Sequence, residues 1–474
     1  MARRISTARA RLLATLIVAS VTFVLIPAQA QAFQLGLEDT GFESPTASTA
    51  QIQRADDALQ TTDASVIRVA VYWARIAPTR QTPGFNPSDP NDPNYNWSSL
   101  DYAVRTAANH HKQLLAVIWD APTWAEGPGT PGPGVSPGSW NPDLTEYTAF
   151  LHALAVRYSG SFDGLPQIES WEVWDEPNLP YWFSAPDPVS AYRTLLNRAY
   201  GVLKAVRKDN QVVFGGLAPV KPNPESFTPL DFAAAVLCLQ RVGAQFRADP
   251  SCHQRVNFDV FGFHSYTLGA TPTKHAAISG DVFVADMGKV RNLVRAVDRR
   301  DGVNRPIWVT EFAWFTDPPN SQLGDPDPTA ARYVAYAMYE MWRSGVSLVL
   351  WQGLTDTPPS AGDTGRGLYT STGEPKLMLR AFAFPVIARV RHGHGLVWGR
   401  APVSSRVRVA VQRALGSRWR TIATVKTASD GVFSLHFKAH HNGLYRARVI
   451  GGPTSLAYDS TPIPPKYTLN VNFG

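Results

Sequence analysis

Trp171-Glu172-Val173-Trp174-Asp175-Glu176-Pro177-Asn178 is the stretch on which the fold turns. Its first half is β-branched and aromatic, as in a buried strand, and Pro177 with Asn178 ends it in a loop. The strand therefore carries carboxyl groups to its own carboxyl end, where parallel α/β folds assemble their sites. Thr310-Glu311-Phe312, behind the apolar Ile307-Trp308-Val309, repeats this arrangement farther along the chain.

Outward from these two segments, short β-rich runs are expected at 33–37, 65–72, 113–119, 168–174, 212–216, 260–264, 307–310 and 348–351. Longer helical patterns separate them. In 144–158, Tyr147, Phe150, Leu151 and Leu154 share one helical face, and 189–208 is similarly amphipathic. Eight strands alternating with helices predict an α/β fold, a (β/α)8 TIM barrel over 33–385. An open doubly wound sheet also alternates in this way, but functional-looking residues recur at the ends of several strands, which favours closure. Two stretches rich in Pro, Gly, Asn and Asp, 81–96 and 125–138, read as loops over that face, anchored near Trp97, Trp124 and Trp140.

After 385 the texture changes to short alternating runs at 407–412, 421–425, 432–437 and 443–450, with turns at Ser429-Asp430-Gly431 and His441-Asn442-Gly443. This predicts a small all-β, sandwich-like domain over 386–474.

At the other end, Arg3, Arg4, Arg9 and Arg11 precede an apolar run from 12 to 25, followed by Ala28-Gln29-Ala30-Gln31-Ala32. That is the form of a cleaved export signal over 1–32, and it predicts a secreted protein with no membrane span after signal removal. Cys238 and Cys252, 14 residues apart in a chain bound for an oxidising compartment, are expected to form a short-range disulfide. No second Cys pair accompanies them, so zinc is disfavoured, and no metal or organic cofactor is expected.

Charge divides the chain. From 386 onward, 13 Lys or Arg stand against Asp430 and Asp459 alone, while 33–385 carries an excess of acids. Such a module can cap the barrel, bind an anionic cell-wall polymer through its charge, or bind sugar through Trp398, Trp419 and Tyr445. Nucleic acid suits an exported protein poorly, although charge alone would permit it.

The segment ending Asp175-Glu176-Pro177 resembles the Asn-Glu-Pro motif of clan A glycoside hydrolases, particularly the cellulase-like family 5 and the xylosidase-like family 39. The resemblance covers the barrel region in outline. It implies that Glu176, at the end of the fourth strand, is the general acid/base and that Glu311, ending the seventh, is the nucleophile. Retaining hydrolysis needs two such carboxyl groups about 5–5.5 Å apart. The implied reaction is hydrolysis of an O-glycosidic bond, β in the usual case of the clan, in a polysaccharide or glycoside.

Further residues fall where the resemblance places them: Arg68 on the second strand, Asp120 after the third, His264 and Tyr266 after the sixth, and Trp351 at the eighth as a floor beneath the sugar. Arg68 beside Glu311 would keep that carboxylate ionised, and the Tyr266 hydroxyl would orient it. Trp124, Trp182 and Trp314 are candidate stacking platforms. Glu172, four residues before Glu176, reads as structural because it lies too deep in the strand to reach a sugar above. One departure stands out: Asp175 replaces the family's Asn, exchanging an amide donor for a carboxylate that only accepts while ionised. Two other functions therefore stay open. One is a non-catalytic carbohydrate-binding or cell-wall-binding protein on the same barrel; the other is a transglycosylase using the same residues.

Overall fold

The structure, a computed structural model, describes residues 32–38, 41–358 and 365–467. Apart from Ala32, the expected export segment lies outside them. Among the described residues no helix is long and apolar enough to cross a membrane.

Eight parallel strands close into a barrel, each bonded to its neighbours in sequence and the eighth to the first. They are Gln34–Glu38, Val66–Tyr72, Gln113–Trp119, Ser170–Val173, Gln211–Leu217, Val260–His264, Ile307–Phe312 and Val346–Trp351. Helices on the outside cover the strands' apolar outer faces; Leu144–Arg157 buries the predicted Tyr147, Phe150, Leu151 and Leu154. Asp143 starts this helix by accepting from the backbone N–H groups of Thr145 and Glu146.

Inside the barrel, Val66, Leu115, Val213, Val260, Leu348 and Leu350 form a separate apolar plug. Two residues above Val66 on the same strand stands Arg68, and two above Ser170 stands Glu172. The interior thus passes from apolar to ionic within one pleat repeat, about 7 Å. That transition sets the height of the site.

The fourth strand is shorter than its sequence pattern implies. It ends at Val173, and Trp174 turns into the left-handed region at φ 68°. The turn throws the indole outward, where it packs on Tyr147 and Phe183 and donates Nε1–H to the Trp182 carbonyl. A second left-handed residue, Glu176 at φ 41°, follows. Such conformations cost about 1–3 kcal/mol each and persist where surrounding bonds enforce them. Here the Trp174 N–H is held by the Ile118 carbonyl and the Glu176 N–H by the Gly216 carbonyl. Asn178 secures the far side of the loop, exchanging bonds with Ala218 and donating to the Phe227 carbonyl.

Cys238 and Cys252 are disulfide-bonded and bracket a hairpin of Leu239–Val242 and Gln245–Ala248. Beyond the barrel lie two mostly antiparallel sheets. One contains Val386–Arg391, His394–Arg400 and Val432–Lys438; the other contains Arg418–Lys426, Arg408–Leu415, Leu444–Val449 and Tyr458–Asp459 in that spatial order. Trp398 fills the joint with the barrel, against Phe33, Tyr339 and Trp342. Buried Arg400 donates to the carbonyls of Phe33 and Thr62. Trp398 and Tyr445 are thus core residues, unavailable to a sugar.

Candidate active site

Arg68 is the hub. Buried on the second strand, its guanidinium donates from Nε to Glu172 at 2.8 Å, from one terminal nitrogen to Glu38 at 2.5 Å and Glu311 at 2.8 Å, and from the other to Asp175 at 2.8 Å. Four of its five N–H donors are thereby matched to carboxylates from strands one, four and seven and the loop after strand four. Burial works against a charged guanidinium, but the four carboxylates hold its pKa well above the ordinary value.

Glu172 is fully buried and accepts three bonds, from Arg68 Nε, the Gly216 N–H and the Thr310 hydroxyl. It is tied into the wall below the site, as the sequence reading placed it.

Above this layer, His264 Nδ1 lies 2.9 Å from Glu176 Oε1 and 3.4 Å from Glu311 Oε2. Its Nε2 is 3.9 Å from Asp175 and makes no hydrogen bond among the described residues. Gly216 leaves room for the ring, since a Cβ there would run into Nε2 and the Thr310 hydroxyl. Burial favours neutral imidazole, yet Glu311, Glu176 and Asp175 outweigh it and raise the His264 pKa to about 10. At neutral pH the ring is a cation among three carboxyl groups.

Glu311 is the most strongly held of the three. Burial pushes its pKa up, but His264, Arg68 and a hydrogen bond from Tyr266 bring it below the ordinary value. The Tyr266 hydroxyl lies 2.9 Å from Glu311 Oε2 and 2.5 Å from Gln352 Oε1, which also accepts from Arg366. Asp175 goes the other way: burial and the repulsion of Glu311 raise it to about 7 despite Arg68 and His264. Two carboxyl groups on one guanidinium are thus driven apart in acidity.

Two oxygens at 2.9 and 3.4 Å from one nitrogen can be no farther apart than the sum of those distances. Glu176 Oε1 and Glu311 Oε2 therefore face each other across a single ring nitrogen, on one side of the same pocket. Ligand atoms of Asp175, His264 and Glu311 also come within 4.8 Å of one another, close enough to surround a metal ion. The Arg68 guanidinium already occupies both carboxylates, and a second cation beside it would be repelled, so this donor set fits a metal poorly.

Of the residues expected at the site, the structure brings together Arg68, Asp175, Glu176, His264, Tyr266 and Glu311. Asp120 stands apart, half-buried and left-handed at φ 63°, its pKa raised by burial and by Glu126 against the pull of Arg75. Trp182 is edge-on to Trp119 and Tyr181 in an aromatic row that continues to Tyr72. Trp124 packs edge-on against Trp73 and Phe85 and donates to the Pro78 carbonyl, anchoring its loop.

Two expectations are corrected. Trp351 is 0% exposed and packs on Phe312 and Phe382 outside the barrel wall, because it has the parity of Phe312 and not that of Glu311. It cannot floor a sugar site; the next residue, Gln352, faces inward instead. Trp314 is 3% exposed, stacked edge-on against Tyr333 and donating to Asp325, which leaves no ring face for stacking. Residues missed from the sequence are Glu38, Gln352 and Arg366. Glu38 carried a usable signal, a carboxylate closing the first barrel strand.

No protein-family model and no curated relative matches this sequence. Among solved structures, the chain is similar in fold to a family 39 glycoside hydrolase from the gut symbiont Bacteroides cellulosilyticus WH2, with TM-score 0.52, 15% identity, and coverage of 87% of this chain and 81% of that one. It is likewise similar to the family 39 enzyme of Xanthomonas axonopodis pv. citri, with TM-score 0.53, 14% identity and coverage of 86% and 92%. A monomeric β-xylosidase from Caulobacter crescentus CB15 gives TM-score 0.51, 15% identity and coverage of 86% and 94%. At these identities the likeness is one of fold.

Proposed function

We propose that this chain is an exported retaining glycoside hydrolase, with a catalytic barrel over 33–385 and an accessory domain over 386–474, that cleaves a β-O-glycosidic bond in a polysaccharide or glycoside. The observation that carries the reading is the meeting of Glu176 and Glu311 at one nitrogen of His264; retaining hydrolysis needs two carboxyl groups in one pocket, about 5–5.5 Å apart.

In the first step the ionised Glu311 attacks the anomeric carbon as the bond to the leaving oxygen breaks, and Glu176 gives that oxygen its proton. In the second, Glu176, now a carboxylate, takes a proton from water as the water oxygen displaces Glu311 from the sugar. Arg68, His264 and Tyr266 suit Glu311 to this role because all three favour its charged form. Asp175, with its raised pKa, holds a proton over part of the neutral range and can then donate to a sugar oxygen, supplying what an Asn would supply. The similarity to a β-xylosidase makes aryl β-xylosides the first substrates to try.

A 2-deoxy-2-fluoro aryl glycoside of an accepted sugar tests the assignment. Mass spectrometry should find one covalent sugar on the peptide containing Glu311. An adduct elsewhere, or a first product of inverted anomeric configuration by NMR, would sink it. Glycan binding without turnover of any glycoside would instead mark a binding protein.

A further inference from the structure

We propose that the outer face of the four-stranded sheet beyond the barrel is a binding site for a carboxylated polysaccharide, such as a polyuronate. Strand register defines that face. Arg408 pairs with Lys426, Ala410 with Thr424 and Arg448, Gln412 with Thr421 and Arg446, and Ala414 with Trp419, and residues directly opposed share one side of a sheet. Arg408, Lys426, Arg446 and Arg448 therefore stand on one surface in ranks about 7 Å apart, the distance between alternate residues of a strand. Ala410 and Gln412 lie buried between them, and the threonines are exposed.

Two features separate this face from a merely solvated one. Among the described residues, none of the four cations forms an ion pair; the nearby Asp459 carboxylate is turned to the N–H and hydroxyl of Thr461. Arg446 is also held in place, its Nε donating to Gln412 at 2.8 Å and its guanidinium 4.2 Å from the centre of the Trp419 ring. A fixed guanidinium presents its remaining donors as a fork for a carboxylate, while the adjoining indole and the hydroxyls of Thr421 and Thr424 suit a sugar ring. An opposite charge repeated along a chain complements the ranks. The choice of a sugar polymer over another polyanion rests on the proposed carbohydrate activity of the barrel.

Affinity electrophoresis of the full-length protein through gels containing polygalacturonate tests the site without turnover, so an inactive barrel would not disturb it. The wild type should be retarded at low salt and released near about 0.5 M NaCl, where charges more than a few ångströms apart are screened. Replacing three cations together, Lys426→Gln, Arg446→Gln and Arg448→Gln, should weaken binding at least about tenfold while the other basic residues of the region remain. The double variant Arg408→Gln/Lys426→Gln changes only exposed side chains and should lose several-fold, and Trp419→Ala should lose affinity at unchanged charge. Both should keep the wild-type thermal midpoint. Absence of retardation overturns the proposal, as does a triple variant within about twofold of wild type. Binding to duplex DNA or anionic vesicles as tight as to polygalacturonate also overturns it.

Discussion

The barrel centre and the outer sheet both concentrate charge, in opposite ways. In the barrel, Arg68 is buried and spends four N–H donors on carboxylates, of which Glu172 and Glu311 accept further bonds and Asp175 faces a second cation, His264. On the sheet, three exposed cations and the half-buried Arg446 have no acid directly opposite among the described residues. Buried charges must be matched within the molecule because desolvation is costly, whereas exposed ones are matched by water and can be given to a partner. The barrel's charges thus fix a geometry, and the sheet's leave one open.

The largest effect expected belongs to the proposed nucleophile. Glu311→Ala should lower kcat on aryl glycosides by about four orders of magnitude or more while the protein stays folded, since no neighbouring carboxyl can replace an attacking oxygen. If activity survives and Glu38→Gln removes it, the nucleophile has been misassigned within the same cluster. Glu176→Gln should be less uniform: a large loss on substrates with poor leaving groups and a small one on activated aryl glycosides, which need no proton. Equal losses on both would contradict the acid role.

Arg68→Met tests the buried side of the comparison. With the guanidinium gone, Glu38, Glu172, Asp175 and Glu311 face one another unneutralised, and unfolding free energy by urea titration should fall by about 3–5 kcal/mol. Arg68→Lys should recover only part, since one ammonium cannot reach carboxylates spread around a planar fork. A loss below about 1 kcal/mol would mean that water already shares these charges.

Acidity sharpens the contrast within the site. The folded Asp175 pKa, about 7, lies above the ordinary 3.8, so between those values the folded protein holds a proton that the unfolded chain releases. Stability should therefore fall as pH rises through that window. Asp175→Asn cannot ionise and should flatten this slope in urea midpoints measured against pH; an unchanged slope would assign it to another group. His264 behaves differently: raised from 6.5 to about 10, it contributes stability that is complete below the lower value and lost as pH climbs through the upper.

Much of this architecture was legible because strands and helices carry different periods, and the glutamates ending strands four and seven stood out by type and place. The hub was not. That one guanidinium meets acids from strands one, four and seven is a consequence of barrel closure, which leaves no mark in any local pattern. Trp351 departs from expectation for another reason. Strand parity distinguishes Trp351 from Gln352 as surely as it distinguishes Phe312 from Glu311, and an indole's type alone does not reveal it. Parity in turn fails at Trp174, where a left-handed turn lets Asp175 and Glu176 both face the site. In the outer sheet the basic composition was plain, but which cations share a face required the register.

The smallest effect is expected on that sheet. Arg448 is exposed and, among the described residues, forms no ion pair; its neighbours across the strands are Ala410, Thr424 and Thr454. Nothing in the folded state depends on its charge, and Arg448→Gln should change unfolding free energy by no more than about 0.5 kcal/mol. Removing one of several like charges can even stabilise slightly, and raising the salt should shrink any such gain. A destabilisation above about 1 kcal/mol would mean that an acidic group closes over the face, and the cation would then be structural, like Arg68. A null result in stability, together with lost retention on polygalacturonate, would separate a charge kept for a partner from one kept for the fold.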